Sequence, residues 1–359
     1  METKNKILIT GWLWYLGSHT VTTLSQAWFE VIIVDNLSNA HRSTFELLKE
    51  LCPNPITFYE ADIRDLESLD EIFKKEEKIW VVLHFAWKTK KKESCMEPFL
   101  YYDVNIHGTI NLLQLMDKYD IKNILYASSS SVYDTEKNIP PFSEIDKIKP
   151  KTPFGNTKII VEQLLHDMTV QKGFNVIALR YFNTIGTHPS HKIGFYPKGL
   201  PTKIVPLLMK VAKGEIESFP IYGDNYKTKD GTCLMDYIHI MDVADLHVKI
   251  VQHLLNKEST LSEIPQDPLY EVVNVGTGCW RTIKEMIDLV ELVTNKTVPF
   301  SIEEQRIGDA DVILWNANKA RHLFQWEPKK TIVEALDDAW KFELNETLDS
   351  SEWTANEIQ

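Results

Sequence analysis

The apolar run KILIT (residues 6–10), followed directly by GWLWYLG (residues 11–17), decides the fold of this 359-residue chain. The run predicts a first β-strand, and SHTVTTLSQAWF (residues 18–29) continues with apolar residues at helical spacing. A strand, a glycine turn and a helix form the unit that holds the diphosphate of a dinucleotide in α/β proteins. The opening of the chain therefore predicts a dinucleotide site, although Trp12 and Trp14 stand inside the turn.

Apolar segments alternate with amphipathic segments through the first half of the chain. The predicted strands are 6–10, 30–35, 56–62, 80–86, 123–129 and 175–182, and the predicted helices lie near 17–28, 42–51, 65–77, 97–119 and 154–171. Such alternation produces a parallel sheet that is covered by helices on both faces. The predicted fold class is therefore α/β, with a Rossmann-type doubly wound parallel sheet that binds its ligand beyond the carboxyl ends of the strands.

The second half is less regular, with predicted helices near 202–213, 241–255, 281–293 and 332–343. That it forms a smaller α/β substrate domain is what the resemblance of its motifs to a known family implies. We expect a dinucleotide-binding domain over residues 1–182 and the substrate domain over 183–344. Segments near 236–255 and 270–276 are expected to pack back onto the first domain, and 345–359 to form a polar tail.

Composition excludes several classes of protein. A net charge of −12 argues against nucleic-acid binding, which needs a basic surface. The longest apolar run, residues 79–87, is too short to cross a bilayer, and the amino terminus lacks the apolar core of a signal peptide, so we expect a cytoplasmic protein. Four widely spaced cysteines without a CxxC pattern suggest neither a metal site nor a disulfide framework. The 14 glycines are about half the average usage, which is unusual for a fold built on glycine turns.

Acidic residues follow the second and third predicted strands. Asp35 ends the second strand, 24 residues after Gly11, where a carboxylate can bind the adenosine ribose and reject a 2′-phosphate. This position favours NAD over NADP. Asp62 and Ile63 follow the third strand and are candidates for an adenine contact, although an Asp after a strand is also a common turn or capping residue. With Gly11 and Gly17, these residues form a dinucleotide signature.

Eight motifs carry a resemblance to a known family over residues 6–343. They are GWLWYLGSHT (11–20), VDNLSNA (34–40), HFAWKTKKKES (84–94), SSSSVYD (128–134), PFGNTK (153–158), LRYFNTIGTHPS (179–190), GDNYKTKDGTCLMDYIHIMDVADLH (223–247) and NVGTGCW (274–280). In this order they resemble the motifs of the UDP-glucose 4-epimerases, which are extended short-chain dehydrogenases/reductases. The resemblance implies a homodimer that binds NAD, takes a hydride from C4 of a UDP-hexose, rotates the keto sugar and returns the hydride to the other face.

The resemblance also implies roles for individual residues. The implied cofactor-binding residues are Gly11, Gly17, Asp35, Asn36, Asp62, Ile63, Phe85, Ala86, Lys158 and Phe182, with Trp14 at a glycine position. The implied substrate-binding residues are Ser129, Asn183, Tyr222, Arg306 and Asp309. The implied catalytic positions are Ser129, Lys158 and Phe154, the last at the place of the family's tyrosine base.

Several positions depart from the family pattern. The turn GGxGYIGSH of the family carries Trp12 and Trp14 at two glycines, and FAGLK carries Trp87 at its glycine. Phe154 replaces the tyrosine of the YxxxK motif, and Met235 replaces an arginine that contacts the diphosphate in the family. Phenylalanine fits the space of tyrosine but cannot move a proton.

These departures predict a family member that is catalytically dead or strongly impaired, a pseudoenzyme with doubtful NAD binding. The tryptophans are interpreted as filling a vacated NAD cavity, since empty space in a core is destabilising. One alternative is a functional epimerase with an altered NAD pose. Another is a non-catalytic UDP-sugar-binding or regulatory partner, which pairs with itself or with an active paralogue through helices 97–119 and 154–171.

Overall fold

A parallel sheet of seven strands lies at the centre of the computed structural model, which describes residues 5–11, 15–137, 140–256, 268–305, 312–314 and 316–345. Its strands, in spatial order, are β3 (Ile56–Glu60), β2 (Glu30–Asp35), β1 (Lys6–Thr10), β4 (Ile79–His84), β5 (Asn123–Ser129), β6 (Asn175–Tyr181) and β10 (Tyr270–Val275). The order 3-2-1-4-5-6 is that of the Rossmann fold, extended here by one strand from the second half of the chain. The predicted fold class is confirmed.

Helices cover both faces of this sheet because apolar residues alternate along the strands. Ile7 and Ile9 belong to the core on one face, with α1 (Tyr15–Gln26), α2 (Arg42–Leu51) and α9 (Ile240–Leu255). Leu8 belongs to the core on the other face, with α3 (Leu66–Lys75), α6 (Gly108–Lys118) and α7 (Pro153–Lys172). The sheet thus holds its carboxyl edge rigid between two packed layers.

The helix predicted near 97–119 is present and contains a π-helical turn. The segments α5 (Pro98–Tyr102), the π-helical turn (Asp103–His107) and α6 follow one another without a break, and a short helix, α4 (Lys91–Met96), precedes them. The buried side chain of Asn105 in this turn accepts a hydrogen bond from the Lys88 amide (2.8 Å) and donates one to Thr157 Oγ1 (3.0 Å). The turn therefore ties the loop after β4 to the first turns of α7, which is the kind of role π-helical turns often have.

The second half forms a smaller α/β layer around a third apolar cluster. It contains the helices α8 (Ile204–Lys213), α10 (Ile283–Thr294) and α12 (Ile332–Asn345), and the strands β7 (Asn183–Ile185), β8 (Phe219–Tyr222), β9 (Leu234–His239), β11 (Trp280–Thr282), β12 (Phe300–Glu303) and β13 (Val312–Ile313). The helix α11 (Asn318–Phe324) instead packs in the core on the α9 face of the large sheet. Strands β7, β11 and β13 pair with β9, and β12 pairs with β8. In the part of the chain that the structure describes, no helix combines the length and apolar character that a membrane crossing requires.

Candidate active site

The first turn of the chain meets the loop after β4 at the carboxyl edge of the sheet. Gly11 has φ +71°, and a Cβ there would lie only 2.1 Å from Ala86 Cα, so only glycine allows the two backbones this close. The Phe85 amide donates to the Thr10 carbonyl (2.9 Å), which holds the loops together. Gly11, Phe85 and Ala86 therefore lie together at the carboxyl edge of the sheet, where a Rossmann fold binds its ligand, and Gly17 lies in the first turn of α1. Residues 12–14, and with them the Trp14 position, lie outside the described residues.

Polar residues at the ends of β2 and β3 form the adenosine side of the candidate site. The Asp35 carboxylate is buried and accepts a hydrogen bond from the Leu37 amide (2.8 Å). Asn36 Nδ2 donates to Asp62 Oδ2 (2.7 Å), so the two loops are linked. Arg64 donates to both oxygens of Asp62, and this contact lowers the pKa of the Asp62 carboxyl to about 2. Asp62 is therefore an anion at neutral pH.

Two neighbours of Asp62 refine this side of the site. Arg64 was not among the sequence candidates, although a cation two residues after a candidate carboxylate is a usable signal. Ile63 is buried against Gly108, where a Cβ would approach its Cδ1 to 2.5 Å. Ile63 thus packs beneath the loop in which Asp62 and Arg64 form their ion pair.

Lys158 lies buried on the first turns of α7, beneath the carboxyl end of β5. The helix begins with Pro153, and the Thr152 hydroxyl caps it by accepting a hydrogen bond from the Gly155 amide. Lys158 Nζ donates to the Ala127 carbonyl (2.9 Å). Burial holds the pKa of this amine well below its usual value.

Aromatic rings surround the Lys158 amino group. Its nitrogen lies 3.5 Å from the centre of the Trp87 ring, 5.0 Å from that of Tyr126 and 5.7 Å from that of Phe154. An indole face at this distance stabilises an ammonium ion, which opposes the effect of burial. Trp87 therefore covers the amine that the family resemblance assigns to the nicotinamide ribose.

No hydroxyl replaces the missing tyrosine at the Phe154 ring itself, which is buried. The two tyrosines of neighbouring motifs are bound elsewhere: Tyr133 donates to Asn274 Oδ1 and the Tyr181 hydroxyl contacts His247 Nε2, each at 2.7 Å. Ser129 ends β5 and accepts a hydrogen bond from the Ser131 amide (3.2 Å) as the cap of a short 3₁₀ turn. The described site thus brings Ser129 and Lys158 to the ends of one strand and one helix, without a phenol at position 154.

A buried ion pair lies behind the lysine and was missed at the level of sequence. Glu162, four residues after Lys158 on α7, accepts hydrogen bonds from Arg180 Nε (3.0 Å) and Nη2 (2.6 Å). Ser128 Oγ donates to the same carboxylate (2.5 Å). These contacts join α7 to β5 and β6 and position the turn that carries Lys158. The i, i+4 spacing of Lys158 and Glu162 was the available signal, because it places both on one face of a helix.

The substrate side is only partly described. Asn183 begins β7 and donates through Nδ2 to the Asp236 carbonyl (3.1 Å), and Phe182 lies beside Gly276, where a Cβ would approach its ring to 2.9 Å. Tyr222 is half-buried at the end of β8. Burial raises the pKa of the Asp236 carboxyl, which accepts hydrogen bonds from the Thr277 and Gly278 amides. Arg306 and Asp309 lie outside the described residues.

Comparison with known proteins identifies the family. Residues 7–276 match the model of the NAD dependent epimerase/dehydratase family. This chain belongs to that family. Within it, the chain is 36% identical to the UDP-glucose 4-epimerase of Bacillus subtilis over 338 residues, which is 94% of this chain and 96% of the relative. It is 37% identical to the UDP-glucose 4-epimerase of Yersinia enterocolitica over 340 residues, 94% of this chain and 97% of the relative.

Solved epimerase structures share the fold. The UDP-glucose 4-epimerase of Bifidobacterium longum, in complex with NAD⁺ and UDP, superimposes with a TM-score of 0.88 at 32% identity, over 95% of this chain and 99% of that one. The enzyme of Stenotrophomonas maltophila, with NAD and a formylated UDP-arabinopyranose, gives a TM-score of 0.89 at 34% identity, over 96% and 98% of the two chains. The chain is thus a member of the UDP-glucose 4-epimerase family, and the predicted resemblance is confirmed.

The epimerase fold of this chain fits NAD unevenly. On the adenosine side, the left-handed Gly11 and the buried Asp35 provide the close backbone approach and the carboxylate that a dinucleotide needs. On the side that the family resemblance assigns to nicotinamide, the Trp87 ring lies 3.5 Å from Lys158 Nζ. The residues present therefore fit the adenosine half of NAD, and Trp87 lies against the lysine of the other half.

Proposed function

We propose that this UDP-glucose 4-epimerase family member has no epimerase activity or a strongly impaired one. The observation that carries this proposal is the Phe154 ring, 5.7 Å from Lys158 Nζ at the place of the family's tyrosine base. NAD, when bound, supplies the hydride acceptor for C4 of the sugar. The chain must supply the group that moves the hydroxyl proton, and a phenyl ring cannot do so. A positioned acid–base group is worth about 10²–10⁴-fold in rate, or roughly 3–5 kcal/mol of barrier.

Ser129 does not compensate for this loss. Its hydroxyl already accepts the Ser131 amide proton, and no described basic group activates it as a proton acceptor. Ser129 retains the ability to donate a hydrogen bond to a sugar oxygen. The residual role proposed for it is therefore substrate positioning.

The proposal also includes weakened NAD binding, because Trp87 lies against Lys158. The indole must move before the Lys158 amine can reach a ribose hydroxyl, and that movement gives up a contact at 3.5 Å. The proposal therefore includes a lower affinity for the nicotinamide half of NAD than for its adenosine half.

An assay of purified protein with UDP-galactose and added NAD tests the proposal. We expect turnover far below the usual enzyme range of ~1–10³ per second, and a rate within that range would contradict the proposal. Nucleotide released on denaturation separates the main alternative, a functional epimerase with an altered NAD pose. That alternative requires both bound NAD and turnover.

A UDP-sugar-binding partner is the second candidate function. Asn183, at the start of β7, is held against β9 by its hydrogen bond to the Asp236 carbonyl. This part of the substrate side therefore does not depend on the residue at position 154. Met235 stands where the family has an arginine, which removes one charge-assisted contact to a diphosphate. Calorimetry with UDP, UDP-glucose and NAD tests this function, which requires UDP-glucose to bind while NAD does not.

We also propose that the chain forms a homodimer through α5, α6 and α7. Apolar side chains are exposed there on neighbouring helices, namely Phe99 (89% exposed), Tyr102, Ile110 and Ile160. Light scattering after gel filtration should give a dimer mass for the native chain and a monomer mass for Phe99→Asp. A native monomer that becomes a dimer only with an active paralogue would favour the heterodimer instead.

A further inference from the structure

Trp28 occupies a backbone position that favours glycine. Helix α1 ends in a Schellman motif, in which the Phe29 amide donates to the Leu24 carbonyl and the Trp28 amide donates to the Ser25 carbonyl, each at 3.1 Å. The motif requires a left-handed residue at its turn, and Trp28 has φ +68°. A side chain is strained in this conformation, whereas glycine is not.

Two other helices end on a glycine in this conformation, whereas α6, α10 and α11 end on the left-handed polar residues Asp120, Asn295 and Gln325. After α8, the Gly214 amide donates to Val211 and the Glu215 amide donates to Lys210, with φ +85° at Gly214. Gly173 ends α7 with φ +69°. The Trp28 side chain is 69% exposed, so burial repays little of the strain that its backbone carries.

Three further tryptophans stand at glycine positions around the cofactor turn. Trp14 has the place of the second fingerprint glycine, which lets a backbone approach a diphosphate, and Trp12 stands two residues before it. Trp87 stands at the glycine of the family's FAGLK motif and follows Ala86, whose backbone lies against Gly11. The family motifs thus place glycine at three of these positions, and the backbone conformation favours glycine at Trp28.

Other tryptophans have indole rings that pack in the core of the fold. Trp326 is 1% exposed, and its indole Nε1 donates to the Asp242 carbonyl (3.1 Å). Trp340 on α12 packs against the core of the second half. The chain has 10 tryptophans and only 14 glycines. Its tryptophans thus include a group at glycine positions and a group whose indoles the core uses.

We infer that one codon type encodes Trp12, Trp14, Trp28 and Trp87, and that the cell making this protein reads it as glycine. UGA fits, because some genetic codes read it as tryptophan and others as glycine, whereas UGG encodes tryptophan. The protein made in that cell then has an unstrained end of α1 and an uncovered Lys158 amine. This inference goes beyond the proposed loss of proton transfer, which holds in either chain because Phe154 lacks a hydroxyl, and it confines the lower NAD affinity to the chain that carries tryptophan at position 87.

The gene and the native protein test the inference directly. We expect UGA at positions 12, 14, 28 and 87 and UGG at 326, and peptide masses from the native protein that contain glycine at 28 and 87 and tryptophan at 326. UGG at 28 or 87, or tryptophan in those peptides, would overturn it. None of these readings depends on enzymatic activity, so they stand apart from the test of the proposed function.

Two recombinant chains test the structural part. One carries tryptophan and the other glycine at the four positions, both from standard codons. The glycine chain should melt at a higher temperature and release at least tenfold more NAD on denaturation. Equal melting temperatures and equal nucleotide contents would contradict the inference. Trp326→Gly is the matched control, and it should lower the melting temperature in both chains.

Discussion

The amino group of Lys158 lies 3.5 Å from the centre of the Trp87 indole ring. This contact joins the loop after β4 to α7 at the lysine that the family resemblance assigns to the nicotinamide ribose. Trp87→Gly removes the ring, and we expect NAD affinity in calorimetry to rise by at least tenfold. Trp80→Ala is the control, because Trp80 is an exposed tryptophan at the opposite end of β4. An equal change in both variants would show that the indole at position 87 does not limit binding.

A tyrosine at position 154 should restore activity only when the cofactor site is open. Phe154→Tyr alone leaves Trp87 on the lysine, so we expect no epimerase turnover from that variant. Combined with glycine at positions 12, 14 and 87, it should raise turnover by about 10²-fold or more over the same chain with Phe154. The measurement is UDP-galactose conversion with added NAD, and Phe154→Leu is the matched control. Normal turnover from Phe154→Tyr alone would refute the proposed obstruction.

Trp28→Gly should stabilise the protein. Glycine relieves a left-handed strain of about 1–2 kcal/mol, although it also gains entropy in the unfolded chain, so we expect a net gain of about 1 kcal/mol. Urea unfolding measures the change as a higher midpoint with an unchanged slope. Gly214→Ala, at the equivalent end of α8, should shift the midpoint in the opposite direction. A lower midpoint for Trp28→Gly would mean that the indole contributes more than its backbone costs.

Buried histidines should make the protein acid-sensitive. His84 contacts Thr10 Oγ1 (2.7 Å) and Thr109 Oγ1 (2.8 Å) through its two ring nitrogens, and burial lowers the pKa of His84 to about 3. Burial also lowers the pKa of His247 to about 3. Unfolded histidine titrates near pH 6.5. Between pH 6.5 and 3 the unfolded chain therefore binds protons that the folded chain does not, so stability falls as the pH falls.

Over that pH range, each of these histidines should lower the free energy of unfolding by about 1.4 kcal/mol for every unit by which the pH falls. Urea midpoints at pH 7, 6 and 5 measure the effect. His84→Gln should reduce the slope of the unfolding free energy against pH by the contribution of one proton. Parallel slopes for the native chain and His84→Gln would contradict the assignment.

The Glu162–Arg180 ion pair should be the costliest to break. Both side chains are buried, so Glu162→Gln leaves the guanidinium without its counter-charge and should destabilise the fold by about 3–5 kcal/mol. Glu136→Gln removes an exposed partner of Lys149 and Lys151 and should cost less than about 1 kcal/mol. Chemical unfolding of the two variants compares these losses, and equal losses would show that burial does not govern the pair.

Sequence patterns predicted the sheet well because buried parallel strands are apolar runs with clear ends. The predicted strands at 6–10, 30–35 and 123–129 match β1, β2 and β5 at both ends. Periodicity could not assign β10 to the same sheet, since pairing between distant segments depends on tertiary packing. Periodicity also missed the π-helical turn, because one inserted residue shifts the phase of the apolar pattern but leaves a helical period on both sides of it.

Site residues divided in the same way. Gly11 and Asp35 could be named as candidates because the chemistry of a dinucleotide turn fixes their residue types and their spacing. Arg64 and Glu162 were missed, because their roles arise from partners that only the folded chain brings near. The contact of Trp87 with Lys158 joins residues 71 positions apart (158 − 87), which no local pattern contains.

The π-helical turn at Asp103–His107 fixes the length of its segment. Because an α-helix has about 3.6 residues per turn, adding or removing one residue rotates the rest of the helix by about 100°. Deleting a residue here would swing Asn105 away from Thr157, or else turn the apolar face of α6 away from the sheet. We therefore expect this stretch, unlike a surface loop, not to tolerate insertions or deletions. Relatives with an asparagine at the position of Asn105 should have a segment of the same length here.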